Sequence, residues 1–557
     1  MKVIQINLHH SKAASAALLL RLASGTEDLI FIQELWLYKD RVCGLHKDGY
    51  RILYAAGPGK TRACIMVKNI LKAFILSDFS DKDTCTIAVE SKKQVVWLMS
   101  CYMAHDQGEN PPNSTTKKAI SCANRRNIPL IICADANAHH TIWGSSDINQ
   151  RGESLFNFIV NNKLTVVNRG NIPTFIVTNR REVLDVTLIS DRFSNLIRNW
   201  SVSMDCSFSD HMYIDFEISF EVGSSDSFMN RRKTNWSIYA GILCDNLPIC
   251  PATIDDRSLL DSTVEQLSNV LAEATEKSCK RTFRMGKAKP TWWNAEIAEK
   301  RKECRKLFNE AKRSGSWITY KSSLNSFKNL IRKAKRLSWR KFCSSVENSS
   351  ETSRLRKILS SSPTIPSYIQ KADGTWTTSS LDTLEELMET HFPGCQELFP
   401  QPGEDRTDVL QDISHIPITE HRLRWAVKTF HPFKSPGPNG IIPADLQENI
   451  DILLPWLLII FKACLRLSHV PKMWTAYKVV FIPKGGKASH TKAKDFRPIS
   501  LSSFLLKTLE RIIDAHIRSS LGSDTLSTAQ HAYMKGKSTD TALHSLVSQI
   551  ERSLNYK

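Results

Sequence analysis

The chain has 557 residues, 41% of them hydrophobic, which is enough for several domains with ordinary buried cores. Its formal net charge is +19, and 20 Lys and Arg against four Glu between Lys280 and Lys341, a balance of +16, place most of that excess in one segment. Fourteen cysteines without a Cys-x-x-Cys pair exclude a zinc knuckle and a disulfide framework as readings of spacing, and the longest apolar stretch, Ile452 to Leu467, is broken by Pro455, Lys462 and Arg466, too polar to span a bilayer.

From the start, Val3-Ile4-Gln5-Ile6 reads as a buried strand ending at Asn7, with no signal-peptide layout before it. Reduced thiols and an intracellular location are therefore expected. Ser11 caps an Ala/Leu-rich helix, and Leu29-Ile30-Phe31-Ile32 is a second strand, just before Glu34. Val95 to Met99 leads to Tyr102, Ser114 to Arg126 reads as a helix, and Leu130 to Cys133 is a strand leading to Asp135. A third helix is expected over Gly152 to Asn162, then strands over Leu184 to Ile189 and Tyr213 to Phe220. Mixed strands and helices over residues 1–220 predict a layered α/β sandwich.

Residues 221–254, rich in Ser, Gly and charge at their start, read as a linker, and 255–345 as a basic helical region. Within it, Ile297, Cys304, Leu307, Phe308 and Ala311 form one apolar stripe, and Trp317, Tyr320, Leu324, Phe327, Ile331 and Ala334 a second. Ser314-Gly315-Ser316 separates them, so the pair is an αα-hairpin with Arg305, Lys306, Arg332, Lys333, Lys335 and Arg336 as candidate nucleic-acid contacts. The indoles of Trp292-Trp293 read as packing. Residues 346–414 are a Ser- and Pro-rich connector, and a further globular pattern fills 415–557.

Asn7, Glu34, Tyr102, Asp135, Asn137, Asp185, Asp210 and His211 suit metal-assisted cleavage of a phosphate ester, and several follow the ends of strands, where functional groups gather. Glu34 and Asp210 offer hard oxygen ligands to Mg²⁺, with Mn²⁺ as a substitute. Asp135 can activate water, and Asn7 and Asn137 can donate to phosphate oxygens. His211 can stabilise the developing charge, with Asp185 fixing its tautomer. His139-His140 and Trp143 fit a locally packed loop.

Gln5-Ile6-Asn7-Leu8-His9-His10-Ser11, Gln33-Glu34, Ala134-Asp135-Ala136-Asn137-Ala138-His139-His140, Trp143-Gly144, Arg151-Gly152, Leu184-Asp185-Val186-Thr187-Leu188 and Ser209-Asp210-His211 together resemble the endonuclease/exonuclease/phosphatase superfamily. More narrowly, they resemble the apurinic-like endonuclease of jockey-type non-LTR retrotransposons. That resemblance implies a four-layer α/β sandwich and an endonuclease that leaves a 3′-hydroxyl primer for copying RNA. It also implies a double-stranded DNA target, an element RNA partner, and work in the nucleus or a cytoplasmic ribonucleoprotein, with no membrane and no small-molecule substrate. The sequence departs from the family at Ala134, where glycine is usual, and at His9, where relatives acting on abasic sites often carry a carboxylate.

Lys434-Ser435-Pro436-Gly437-Pro438-Asn439-Gly440-Ile441, Val479 to Lys487, Phe496-Arg497-Pro498-Ile499-Ser500-Leu501 and Gln530 to Thr539 resemble the fingers region of the same elements' reverse transcriptase. By that resemblance Lys484 and Arg497 contact template or nucleotide. The paired aspartates of the polymerase centre would follow Lys557, and Asp255-Asp256 reads as a helix start, so polymerisation is not expected of this chain alone. The alternative is a decayed element remnant that only binds nucleic acid.

Overall fold

The computed structural model describes residues 1–24, 26–38, 41–55, 59–91, 94–106, 108, 110–220, 227–283, 291–347, 351–352, 355, 368–394, 416–485, 490–520, 527, 529–532, 534 and 536–555. The chain divides into two compact units, one of Met1–Phe228, Thr282–Leu398 and Phe481–Arg497, the other of Met229–Arg281, Phe399–Val480 and Pro498–Lys557.

The first unit opens with β1 (Lys2–Asn7), α1 (Lys12–Arg21), β2 (Leu29–Gln33) and a two-residue ladder of β3 (Leu37–Tyr38) with β4 (Arg41–Val42). It continues through β5 (Tyr50–Leu53), β6 (Ala63–Lys68), β7 (Lys72–Ile75), β8 (Thr84–Glu90), β9 (Val95–Tyr102), α2 (Ser114–Arg126) and β10 (Leu130–Asp135). After α3 (Gln150–Asn161) come β11 (Leu164–Val166), the hairpin β12 (Phe175–Val177) and β13 (Arg180–Glu182), then β14 (Asp185–Ser190), β15 (Ile197–Val202) and β16 (Ile214–Ile218). Two six-stranded sheets result, ordered β15-β16-β1-β2-β6-β5 and β11-β14-β10-β9-β8-β7.

Period-2 alternation sorts the side chains. Val3, Leu29, Phe31 and Ile65 of one sheet share a core with Ile87, Leu98, Ile131 and Ile189 of the other. On the far faces, Ile4, Ile6, Ile30 and Ile32 pack with Ala14 and Leu18 of α1, while Met99, Ile132 and Val186 pack with Ile120 and Leu155 of α2 and α3. The order is helix, sheet, sheet, helix: the expected four-layer sandwich. Each buried aliphatic side chain contributes about 1.5–3 kcal/mol. Caps read from the sequence are in place, Ser11 accepting from the Ala14 amide at 3.2 Å.

The same unit contains the basic hairpin, α6 (Ala295–Ser314) and α7 (Ile318–Ser344), turned by Gly315 at φ +74°. Both apolar stripes are in place, but they do not serve only one another. Phe327, Ile331, Phe308 and Tyr320 belong to the core that holds Cys206, Phe208 and Met212, and Phe327 stacks on Phe208 at 4.8 Å. Trp292 and Trp293 pack, half-buried, against the same core.

The second unit is helical. α4 (Trp236–Asn246) occupies a stretch expected to be linker: Asn235 caps it, and Tyr239 and Leu243 are fully buried against Leu260, Leu267 and Leu271 of α5 (Arg257–Ser278). Asp256 caps α5 through the Leu259 amide at 2.8 Å, as the Asp-Asp pair suggested. The apolar stretch around Pro455 is the helix Ile450–Arg466, with Leu453, Leu457, Ile460 and Phe461 in the core. Among the described residues no helix is long and apolar enough to cross a membrane. Gly437 lies where a Cβ would stand 2.7 Å from the Ser502 backbone, so the glycine-rich loop can lie flat on its neighbour. Gly486, Lys487, Tyr533 and Lys535, and most of 346–414, lie outside the described residues.

Candidate active site

The core between the sheets changes character toward one end. Above the aliphatic layer comes a polar one. Gln33 donates to the Ser100 hydroxyl at 2.9 Å and to the Cys133 carbonyl at 3.0 Å. Thr187 donates to Gln5 at 3.0 Å while accepting from the Trp200 indole at 2.9 Å. One strand step further the functional groups begin, because Asn7 shares a face with Gln5, Asp135 with Cys133, and Asp185 with Thr187. Strand register aligns three of them, Asp135 standing opposite both Tyr102 and Asp185.

Asn7 Nδ2 donates to Asp135 Oδ2 at 2.8 Å, and the Asn137 amide donates to Asp135 Oδ1 at 3.1 Å. His211 Nδ1 lies 2.7 Å from Asp185 Oδ2, and its Nε2 lies 3.8 Å from Asp135 Oδ2. Asp135, Asp185 and His211 can each present a ligand atom within 4.8 Å of one another, and all three are buried. Burial raises the Asp135 pKa, with the Asp185 charge adding to it and His211 opposing. For His211 burial pulls the other way but is outweighed by the charges of Asp185 and Asp135, so its pKa is raised and the imidazolium is favoured. Asp185 Oδ1 is buried without a hydrogen-bond partner.

Glu34 and Asp210 stand outside that triad. Glu34 follows β2 at φ +46°, 3.6 Å from His10 Nε2, and is hydrogen-bonded to Tyr102. Burial and the Glu34 charge raise the Tyr102 pKa, keeping it a protonated phenol. Asp210, half-buried, lies 3.3 Å from His9 Nδ1. Asn137 Nδ2 donates one hydrogen bond to the Met103 carbonyl at 3.3 Å and keeps a second N–H bond.

Supporting groups surround these residues; Arg62 and Thr174 were not singled out from the sequence, while Arg151 belongs to the Arg151-Gly152 pair noted there. Arg151 donates to the Asn137 and Met103 carbonyls at 3.0 and 2.9 Å, and Arg62 lies over the Tyr102 ring while paired with Asp83. Thr174 Oγ1 accepts from the Leu184 and Asp185 amides at 3.1 Å, fixing the entry to β14. The readable signal was a polar residue inside an apolar run, as at Gln5 and Gln33. Gly152 is needed for approach, since a Cβ there would stand 1.7 Å from the His139 carbonyl oxygen. Trp143 is fully buried and His140 stacks on Phe156, the local packing expected of that loop.

The fold sorts the candidate cations of the hairpin. Arg332 and Lys335 line a cleft that also contains Asp210 and His9, with Lys335 4.8 Å over the Trp292 ring. Arg305 pairs with Asp205 at 2.8 Å. Lys306 and Lys333 line a separate groove with Glu296, Glu299 and Glu303, and Arg336 is exposed. Lys484 donates to the Lys494 carbonyl at 2.7 Å, and Arg497 is exposed on the strand Phe496–Leu501.

Residues 96–215 match the family model described as endonuclease-reverse transcriptase. Over 509 residues the chain is 22% identical to the retrovirus-related Pol polyprotein from type-1 retrotransposable element R1 of Bradysia coprophila, covering 86% of this chain and 50% of that protein. Over 521 residues it is 24% identical to the "Probable RNA-directed DNA polymerase from transposon X-element" of Drosophila melanogaster, covering 89% and 56%. Among solved structures, the endonuclease domain of TRAS1, a telomere-specific non-LTR retrotransposon, is 26% identical over 40% of this chain and 99% of its own, with a TM-score of 0.35. The chain spans about half the length of the curated relatives it matches. The resemblance read from the sequence is supported: residues 96–215 match an endonuclease-reverse transcriptase model, and most of the chain is similar to retrotransposon polyproteins.

Proposed function

We propose that the first unit nicks double-stranded DNA in a Mg²⁺-dependent reaction that leaves a 3′-hydroxyl, the primer from which an element RNA is copied. One observation carries the reading: Asp135 is held between Asn7 and the Asp185–His211 pair at the edge of a buried, two-sheet core. A buried carboxylate steered by an amide on one side and an imidazolium on the other is suited to proton transfer.

The donor set fits a hard cation. Glu34 and Asp210 supply carboxylate oxygens, and the unpartnered Oδ1 of Asp185 leaves a buried oxygen available to water or ion. Glu34 and Asp210 would hold Mg²⁺, with Mn²⁺ as a substitute. An ion held there would supply charge to neutralise the phosphate and to make the attacking water more acidic. Asp135 accepts the proton of the attacking water. The water oxygen bonds to phosphorus, the bond from phosphorus to O3′ breaks, and O3′ takes a proton from solvent to leave as the primer hydroxyl, with phosphate on the 5′ side and the proton on Asp135 returned to solvent. His211, held charged by Asp185, donates through Nε2 to the oxygens that gain charge. The second N–H of Asn137 and the Tyr102 phenol are further donors.

Supercoiled plasmid incubated with Mg²⁺ is the direct test. Wild type should nick it, while Asp135→Ala and His211→Ala should each be slower by about 10²–10⁴-fold. Equal nicking by all three removes the site. Tight, salt-sensitive binding with no metal-stimulated nicking would leave nucleic-acid binding alone as the function. The work would be done in the nucleus, and the RNA would be met in a ribonucleoprotein.

A further inference from the structure

The cleft beside Asp210 has a volume of about 820 Å³. His9, Lys12, Trp36, Thr178 and Asp210 form one side, and α7 forms the other. α7 faces it with Lys321, Lys328, Arg332 and Lys335, positions 7, 4 and 3 apart and therefore on one helical face. Asp210 is the only acid in the lining, and among the described residues no ion pair joins Lys12 or these four cations.

The opposite face of the hairpin is different. There Lys302 pairs with Glu299 and Lys300 with Glu303, each at 2.8 Å, and Lys306 stands 4.0 Å from Glu310. The hairpin's acids are thus spent on one face, and the face toward the site is left purely cationic. Burial, and after it the nearby charge of Lys12, lowers the Lys335 pKa.

The wall is fixed in place. Phe327 is fully buried against Phe208, and Arg305 pairs with Asp205, so α6 and α7 grip the very loop that delivers Asp210 and His211. From Lys321 to Lys335 the helix rises about 21 Å. At about 3.4 Å per phosphate along one strand, that spans roughly six nucleotides. A small phosphoester would leave most of that length unused.

We propose that α7 is the second wall of the substrate cleft, with Lys321, Lys328 and Arg332 gripping backbone phosphates of duplex DNA beside the scissile bond. This rests on the nuclease reading in that the polyanion is taken to be the nuclease's DNA substrate. The cations therefore act in the cutting of DNA rather than as a general basic tether.

The test compares two charge reversals of equal size in the full chain: Lys321→Glu/Lys328→Glu/Arg332→Glu, and Lys302→Glu/Lys306→Glu/Lys333→Glu on the other face. Binding to a labelled DNA duplex is followed by anisotropy over a salt series, in an Asp135→Ala background so that nothing is cut. The cleft triple should bind at least about tenfold more weakly and lower the log–log salt slope by about 2.7, while the other triple stays close to the parent. Equal losses in both triples, or an unchanged slope for the first, overturn the proposal, as does tighter binding of duplex RNA than of DNA. Matching melting temperatures establish that each triple is folded, and Lys321→Gln/Lys328→Gln/Arg332→Gln serves where reversal does not fold. Nicking is measured separately on proteins that retain Asp135, where the cleft triple should raise KM and spare kcat. A wild type that does not nick sinks the nuclease reading, yet the binding comparison still decides whether α7 is a DNA wall.

Discussion

Glu34, Asn137, His9 and His10 all hold positive φ, between +44° and +50°, at the strand ends that carry the site. Such conformations cost roughly 1–2 kcal/mol for residues with a Cβ, and they persist where function demands them. At position 34 the strain can be separated from the chemistry. Glu34→Ala and Glu34→Gly should both lose nicking, but the glycine variant should be more stable than the alanine variant by about 1 kcal/mol in denaturant melts. Equal stabilities would mean the turn is not strained. The His211–Asp185 pair yields a second expectation. The folded pKa of His211 is raised above its ordinary 6.5 to about 9. A raised cation pKa contributes stability that is full below about pH 6.5 and is lost as pH rises through about 9. In metal-free buffer, Tm of the wild type should fall across that window, and Asp185→Asn should flatten the fall; a parallel fall in both would show the pair is not the cause. The positions of Glu34 and Asn137 were legible because short apolar runs, Leu29 to Ile32 and Leu130 to Cys133, end just before them. The positive φ at Glu34 was not, since nothing in Gln33-Glu34-Leu35 requires it; it arises where the Glu34 amide bonds to the Arg62 carbonyl and its own carbonyl accepts from His10.

At the scale of elements, the hairpin shows how far periodicity reaches. The stripes Ile297 to Ala311 and Trp317 to Ala334 gave both helices and the turn at Gly315, because 3.6-residue spacing is local. Their partner was not readable: an apolar stripe says that it is covered, and only the tertiary fold says by what. Here Phe208 and Cys206 supply part of the cover. Phe327→Ala should therefore destabilise the first unit by about 3–5 kcal/mol and expose α7 to proteolysis. Cleavage in α7 no faster than in wild type would mean that the stack on Phe208 does not hold the helix. α4 was missed for the opposite reason. Its cap at Asn235 and its apolar Tyr239 and Leu243 lie just after a Ser- and charge-rich stretch whose composition masked them. Lys484 is likewise tied locally, to the Lys494 carbonyl, whereas Arg497 is exposed. A template contact by Lys484 predicts that Lys484→Met weakens RNA binding, and unchanged binding would mean that its tie to Lys494 is its whole role.

On the scale of the whole chain, sequence order and compactness disagree. The first unit gathers three separate stretches and the second gathers three more, an interleaving no composition shift announces. Charge, by contrast, was legible from the outset, since 16 of the 19 net positive charges lie between Lys280 and Lys341. The remainder of the chain is close to neutral in net charge. If the hairpin's cations engage about five phosphates, the log–log slope of DNA affinity against salt is about −4.5, and binding weakens by roughly 500-fold between 50 and 200 mM. Anisotropy titrations of the intact chain on nonspecific duplex measure that slope. A value near −1 would mean that the segment's charge is spent within the protein on partners such as Asp205 and Glu299, not presented to DNA. A slope near −4.5 would mean that most of the 20 cations need not act: a handful left without acids by the fold accounts for the affinity, and the location of charge outweighs its amount.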